Sequence, residues 1–66
     1  MQIIVNGQNK QYLNEISIND VLKDLSLIGK VMAAAVNMDI VKQGEWNNYK
    51  LQDGDKLELL DFVGGG

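Results

Sequence analysis

Few residues in this chain could do chemistry, and they fall into four groups. Asp53-Gly54-Asp55 brings two carboxylates together as a cation site would, but the ligand spacing and terminal Glu of a calcium loop are absent, and the segment reads as a turn. Asp39 and Glu45 have no partner at a defined spacing, so they read as solvated loop carboxylates rather than an acid/base pair. Trp46 and Tyr49 could stack on nucleobases, yet no basic groove accompanies them. Trp46 reads instead as an anchor closing one end of the core, with Tyr49 covering its edge. The fourth group is the terminal run Gly64-Gly65-Gly66, whose functional group is the main-chain α-carboxylate, ionised at neutral pH with a reference pKa of ~3.5.

Composition narrows the field further. The 66 residues include no Cys, His or Pro, and all six basic residues are Lys. Without His the commonest general base is missing, and without Cys so is the best side-chain nucleophile. The same absences exclude disulfides and the usual zinc sites. A self-sufficient enzyme is not expected, nor a bound cofactor or metal. A chain this short buries only about 60% of the surface that its unfolded form exposes, which means one domain with a small core. The longest apolar run, Val31 to Val36, is far short of the ~20 residues that span a bilayer. The opening Met1-Gln2-Ile3-Ile4-Val5-Asn6 lacks the basic stretch and cleavage site of a signal peptide, so a cytoplasmic protein is expected.

The net charge of −3 lies entirely in the second half, where six acids face three lysines. An acidic chain without Arg gives nucleic acid little to hold, whereas a partner with a basic face suits it. Asp53, Asp55, Glu58 and Asp61 cluster just before the glycine run, where such a face would meet them.

The elements that must present the tail can be read in order. Gln2 to Asn6 is β-branched and largely alternating, Asn6-Gly7 is a turn signal, and Lys10 to Leu13 is the expected return strand. Ser17 is a helix N-cap candidate with Asp20 three residues on, and Ile18, Val21, Leu22 and Leu25 share one helical face. Gly29 is placed to end that helical segment, after a last turn at Ser26-Leu27-Ile28 expected to be irregular. Val31 to Val36 reads as a strand buried through Met32, Ala34 and Val36, with Ala33 and Ala35 opposite. A brief Ile40-Val41 strand, a polar loop from Lys42 to Tyr49 and a turn at Leu51 to Asp55 follow. The last strand, Lys56 to Phe62, puts Leu57 and Leu59 inside and Glu58, Leu60 and Phe62 outside. One helix across one face of a small mixed sheet is the economical packing of these elements, an α+β architecture of the β-grasp type. The domain is expected over residues 1–63, followed by a flexible tail over 64–66.

A glycine-rich terminus alone is usually a frayed end. Beside the outward Leu60 and Phe62 it describes an apolar patch next to an arm without side chains. Val63 to Gly66, fully extended, reaches at most roughly 14 Å. Glycine lets that arm enter a narrow channel and leaves no Cβ beside the reacting carbonyl. The carboxylate is a poor acylating group and needs activation, most directly adenylation by a partner that uses ATP.

The chain resembles the ThiS family, the sulfur carriers of thiamine biosynthesis, which are ubiquitin-like β-grasp proteins. The resemblance rests on Met1-Gln2-Ile3-Ile4-Val5-Asn6, on Ala35-Val36-Asn37 followed by Ile40-Val41 and Glu45-Trp46, and on Leu51-Gln52-Asp53-Gly54-Asp55-Lys56-Leu57-Glu58 with Phe62-Val63-Gly64-Gly65-Gly66. Family members often place Pro and Arg after the Ile-Val pair, where this chain has Lys42-Gln43. The resemblance implies a carrier whose Gly66 carboxylate is adenylated with ATP by a ThiF-type adenylyltransferase. A cysteine-derived persulfide then converts it to a thiocarboxylate, which a ThiG-type thiazole synthase consumes. Gly65 and Gly66 match the family's reactive end, and Gly64 extends the arm. Leu60 and Phe62, with Ala33 and Ala35 continuing across the sheet, form the expected docking patch by strand alternation. No nucleic acid or membrane partner is expected, and the chain alone is expected to be a monomer. Two alternatives stay open from the residues. One is a carrier like the small subunit of molybdopterin synthase, which shares fold and chemistry. The other is a noncovalent ubiquitin-like binding module whose glycines are only a tail.

Overall fold

Asn6 and Gly7 adopt positive φ angles of 49° and 84°, the conformation of a two-residue hairpin turn. A turn this tight lets pairing begin at once, so β1 (Gln2–Val5) pairs antiparallel with β2 (Gln8–Gln11), Val5 opposite Gln8. The return strand is therefore two residues earlier than the apolar Tyr12-Leu13 pair suggests. Tyr12 instead leaves the sheet after its amide donates to the Met1 carbonyl oxygen, and its hydroxyl donates to Asp24 (3.1 Å). Partial burial, and then the Asp24 carboxylate, push the Tyr12 hydroxyl up to about 12. The computed structural model describes residues 1–13 and 15–61.

Helix α1 (Ile18–Asp24) is short, and both of its ends are satisfied. Ser17 Oγ accepts from the Asp20 amide (3.1 Å) while the Asp20 carboxylate accepts from the Ser17 amide (2.9 Å), which is the capping box expected from the sequence. The next free N–H groups, those of Ile18 and Asn19, donate to the carbonyls of Tyr49 and Trp46. The loop after β4 thus caps the helix. At the other end Ser26, not Gly29, takes the left-handed conformation (φ 59°). The Ser26 amide reaches the Lys23 carbonyl and the Leu27 amide reaches that of Leu22, closing the helix a turn earlier than the glycine indicates. Gly29, at φ 79°, belongs to the turn that follows.

β3 (Val31–Val36), β4 (Asp39–Val41) and β5 (Lys56–Asp61) complete one five-stranded sheet, in the order β2-β1-β5-β3-β4. β5 runs parallel to β1 and antiparallel to β3, so the first and last strands are neighbours in its centre. A parallel pair needs a long crossover, and α1 lies on that path. Ile18, Val21 and Leu22 of the helix share one buried core with Ile3, Val5, Val31, Ala34, Val36, Leu57 and Leu59 of the sheet. Trp46 joins the same core, its indole Nε1 donating to the Val41 carbonyl oxygen (2.8 Å). One core assignment needs correction: Met32 is 52% exposed, and Val31 is buried instead. The register explains it, because Val31 pairs with Asp61 and Ala33 with Leu60, leaving Met32 as the extra residue of a bulge.

Two outcomes test this account. The Ser17 amide, helped by the Lys23 and Lys50 charges, holds the Asp20 carboxyl below its ordinary value of 3.8 despite some opposing desolvation. A depressed folded value contributes stability above 3.8 and loses it as the pH falls through the folded value. Denaturation at a series of pH values should show the advantage of the wild type over Asp20→Asn at neutral pH shrinking in that acidic range. At the β3–β4 turn Met38 holds φ 75° with 88% of its surface exposed, so the side chain gives little packing in return for the strain. Met38→Gly should raise the unfolding free energy by about 0.5–1 kcal/mol in chemical denaturation.

Candidate functional site

The sheet has one covered and one open face, and β5 contributes to both. Leu57 and Leu59 enter the core, while Glu58 and Leu60 project to the open side, Leu60 with 58% of its surface exposed. Pairing with β3 sets Glu58 opposite Ala35 and Leu60 opposite Ala33. Pairing of β3 with β4 sets Ile40 beyond Ala35 in the same row. These residues, with Asn6, Ala34 and Leu59, line a shallow depression. Three of the four expected docking residues, Leu60, Ala33 and Ala35, are thus brought together on one surface. The fourth, Phe62, lies outside the described residues, as do Gly64, Gly65 and Gly66.

Two contributors were not legible in the sequence. Ile40, 73% exposed, belongs to a strand too short for its alternation to say which side faces out, and only its pairing with Ala35 answers that. Asn6 signals a turn, but its side chain does more. The Leu59 amide donates to Asn6 Oδ1 (2.8 Å) and Asn6 Nδ2 donates to the Leu59 carbonyl (3.4 Å). The main-chain ladder between β1 and β5 ends with the Asn6 amide on the Leu57 carbonyl, so this side chain extends it by one step. Among the described residues it is the last tie between β1 and β5.

Asp53 and Asp55, expected beside the glycine run, lie instead in the turn that leads into β5, at the opposite end of that strand. Asp53 Oδ1 accepts from the Gln2 amide (2.6 Å), and the Asp55 carboxylate accepts from the Gln52 amide (2.8 Å) and Asn37 Nδ2 (2.9 Å). Both carboxylates therefore hold the turn against β1 and the β3–β4 hairpin. Among the described residues no three His, Cys, Asp or Glu side chains are grouped to hold a metal ion. No helix among them is long and apolar enough to cross a membrane. Chemically, the depression offers adhesion rather than reaction: methyl groups, aliphatic side chains, an amide and one carboxylate, with the exposed Lys56 next along the same face of β5.

Comparison with known proteins gives a consistent result. The ThiS family matches residues 3–66. The sulfur carrier protein ThiS of Escherichia coli is 32% identical over 66 residues, covering all of both chains. A thiazole synthase of Paramagnetospirillum magneticum is 29% identical over all 66 residues, and the chain spans 20% of that protein's length. In three dimensions the crystal structure of a thiamine biosynthesis protein (ThiS) from Geobacter metallireducens superposes with a TM-score of 0.81, at 24% identity and full coverage of both chains. That likeness shows the β-grasp fold.

The Asn6 clamp can be separated from the turn that Asn6 also makes. Asn6→Gly keeps a residue at ease with positive φ and removes only the two hydrogen bonds. It should cost about 1–2 kcal/mol of unfolding free energy in a denaturant titration.

Proposed function

The chain belongs to the ThiS family and is a sulfur carrier in thiamine biosynthesis, and from that premise we propose that its reacting group is the α-carboxylate of Gly66. A ThiF-type adenylyltransferase binds the open sheet face and draws the glycine arm into its active site. The Gly66 carboxylate attacks the α-phosphorus of ATP, pyrophosphate leaves, and an acyl-adenylate forms. A persulfide sulfur derived from cysteine attacks the activated carbonyl carbon and AMP leaves. A thiol then cleaves the S–S bond, taking the donor to a disulfide and leaving a thiocarboxylate on Gly66.

The arm next enters a ThiG-type thiazole synthase and gives up its sulfur, and the carboxylate returns. The chain itself supplies a substrate and a handle rather than catalysis, and it binds no cofactor, ATP being held by the activating partner. A reaction that consumes ATP fits a cytoplasmic carrier.

The observation that carries this reading is positional. Only Phe62 and Val63 separate the end of the central strand β5 from Gly64, and the outward residues of that strand lie in the apolar depression. A partner that grips the face is then within the arm's reach of the carbonyl, while the absence of a Cβ at Gly64 to Gly66 lets the arm lie in a tight channel. The thiazole synthase of Paramagnetospirillum magneticum, part of which matches this whole chain, supports that enzyme class as the second partner.

Intact-mass measurement after incubation with ATP, a persulfide donor and a ThiF-type enzyme tests the chemistry. The expected change is replacement of one oxygen by sulfur, mapped to Gly66. A chain lacking Gly65 and Gly66 should keep its circular dichroism spectrum and remain unmodified. Modification of that truncated chain would locate the reactive group elsewhere.

A further inference from the structure

We infer that Glu58 is a specificity-determining residue of the open face, and that the partner docking there presents an apolar surface carrying one cationic side chain, Arg or Lys, opposite it. This inference rests on the carrier reading above and adds to it the chemistry of the surface that must cover this sheet. Glu58 lies where the apolar part of the patch meets its polar part, between Leu60 and the exposed Lys56, the outward residues on either side of it on β5. Ala35 is directly across from it on β3, Ile40 lies beyond Ala35, and Leu60 is the next outward residue of β5. The neighbouring acids are occupied by the fold, Asp53 by the Gln2 amide and Asp55 by the Gln52 amide and Asn37. Glu58 has no such donor among the described residues, and it is exposed.

A surface that closes over Ala33, Ala35, Ile40 and Leu60 strips water from the carboxylate between them. A charge deprived of water without a partner is strongly unfavourable, so a purely apolar surface is rejected. A guanidinium meets the requirement best, because its planar fork can bond both carboxylate oxygens and sheds water more readily than an ammonium. The alanines help: short side chains on the β3 side leave space for a long cation to reach Glu58. The same charge disfavours a second copy of this chain as the occupant. A two-fold axis through Glu58 brings Glu58 against Glu58, and the chain's own cation on this face, Lys56, stands one outward step away along β5 rather than opposite. One side chain thus disfavours both self-association and indiscriminate apolar binding, while favouring a basic partner.

The test uses the full-length chain and the ThiF-type enzyme of the same organism, titrated calorimetrically without ATP at two salt concentrations. Glu58→Gln should weaken association about 10-fold and flatten its salt dependence, and Glu58→Lys should weaken it about 100-fold or more. Both variants should unfold at the temperature of the wild type, since the side chain is exposed and has no partner in the free chain. Reversing the enzyme's facing cation to Glu should restore binding of Glu58→Lys, a result that a merely structural role for Glu58 does not produce. Equal binding by wild type and both variants, with the wild type still converted to the thiocarboxylate, overturns this inference and leaves the carrier reading intact. A wild-type chain that is never modified overturns both. Sedimentation that shows the wild-type chain dimerising through this face also overturns the inference, because the occupant is then a second copy.

Discussion

The parallel pairing of β1 with β5 is the contact on which the rest of this structure depends. It joins strands from the two ends of the chain, and nearly everything between them serves as the crossover. Because parallel neighbours cannot be joined by a tight turn, the connection must leave the sheet and return, and the amphipathic α1 gives that path something to bury. The pairing is short, with Ile4 beside Lys56 and Val5 beside Leu57, and side chains reinforce it at both ends. Asp53 grips the Gln2 amide below it, and Asn6 grips Leu59 above it. Two polar residues that look like ordinary turn formers therefore set the register of the central strand.

That register decides what each face of the sheet can do. A 66-residue chain has one small core, and α1 takes one whole face of the sheet to make it. The open face then carries small residues at Ala33 and Ala35, aliphatic ones at Leu60 and Ile40, and two charges in succession along β5, Lys56 and Glu58. Met32 shows how closely the two faces are coupled. One extra residue in β3 turns it outward and brings Val31 into the core, so an apparent core residue joins the open side.

Local chemistry was legible in the sequence, and long-range pairing was not. The capping box of Ser17 and Asp20 and the inward alternation of Leu57 and Leu59 depend on neighbours within a few positions, and both occur as read. The irregular turn over Ser26 to Ile28 is legible, but the left-handed conformation at Ser26 is not, because serine rarely takes it and Gly29 stands nearby as the better candidate. The bulge at Met32 and the facing of Ile40 depend on partners in other strands, which no short window of sequence contains. Asn6 is the plainest case. Its turn role is local and readable, while its clamp joins positions 6 and 59 and emerges only when the ends of the chain meet.

The same division explains why so little side-chain chemistry suffices. A sulfur carrier must be accepted by an enzyme that activates its end and released to another that takes the sulfur. An interface of ordinary size takes about 800 Å² from each partner, a large share of the surface of a 66-residue chain. On the carrier reading proposed above both partners reach for the same tail, and the open face beside it is the surface they would share in turn. A surface used in turn cannot be held too tightly by any one of them. Modest apolar area gives an attraction that can be given up, and the carboxylate of Glu58, in the role inferred above, would select the partner through a salt-sensitive contact. On that reading the reactive group can be a main-chain carboxylate, identical in any chain, with recognition left to β3, β4 and β5 and catalysis to the partner enzymes.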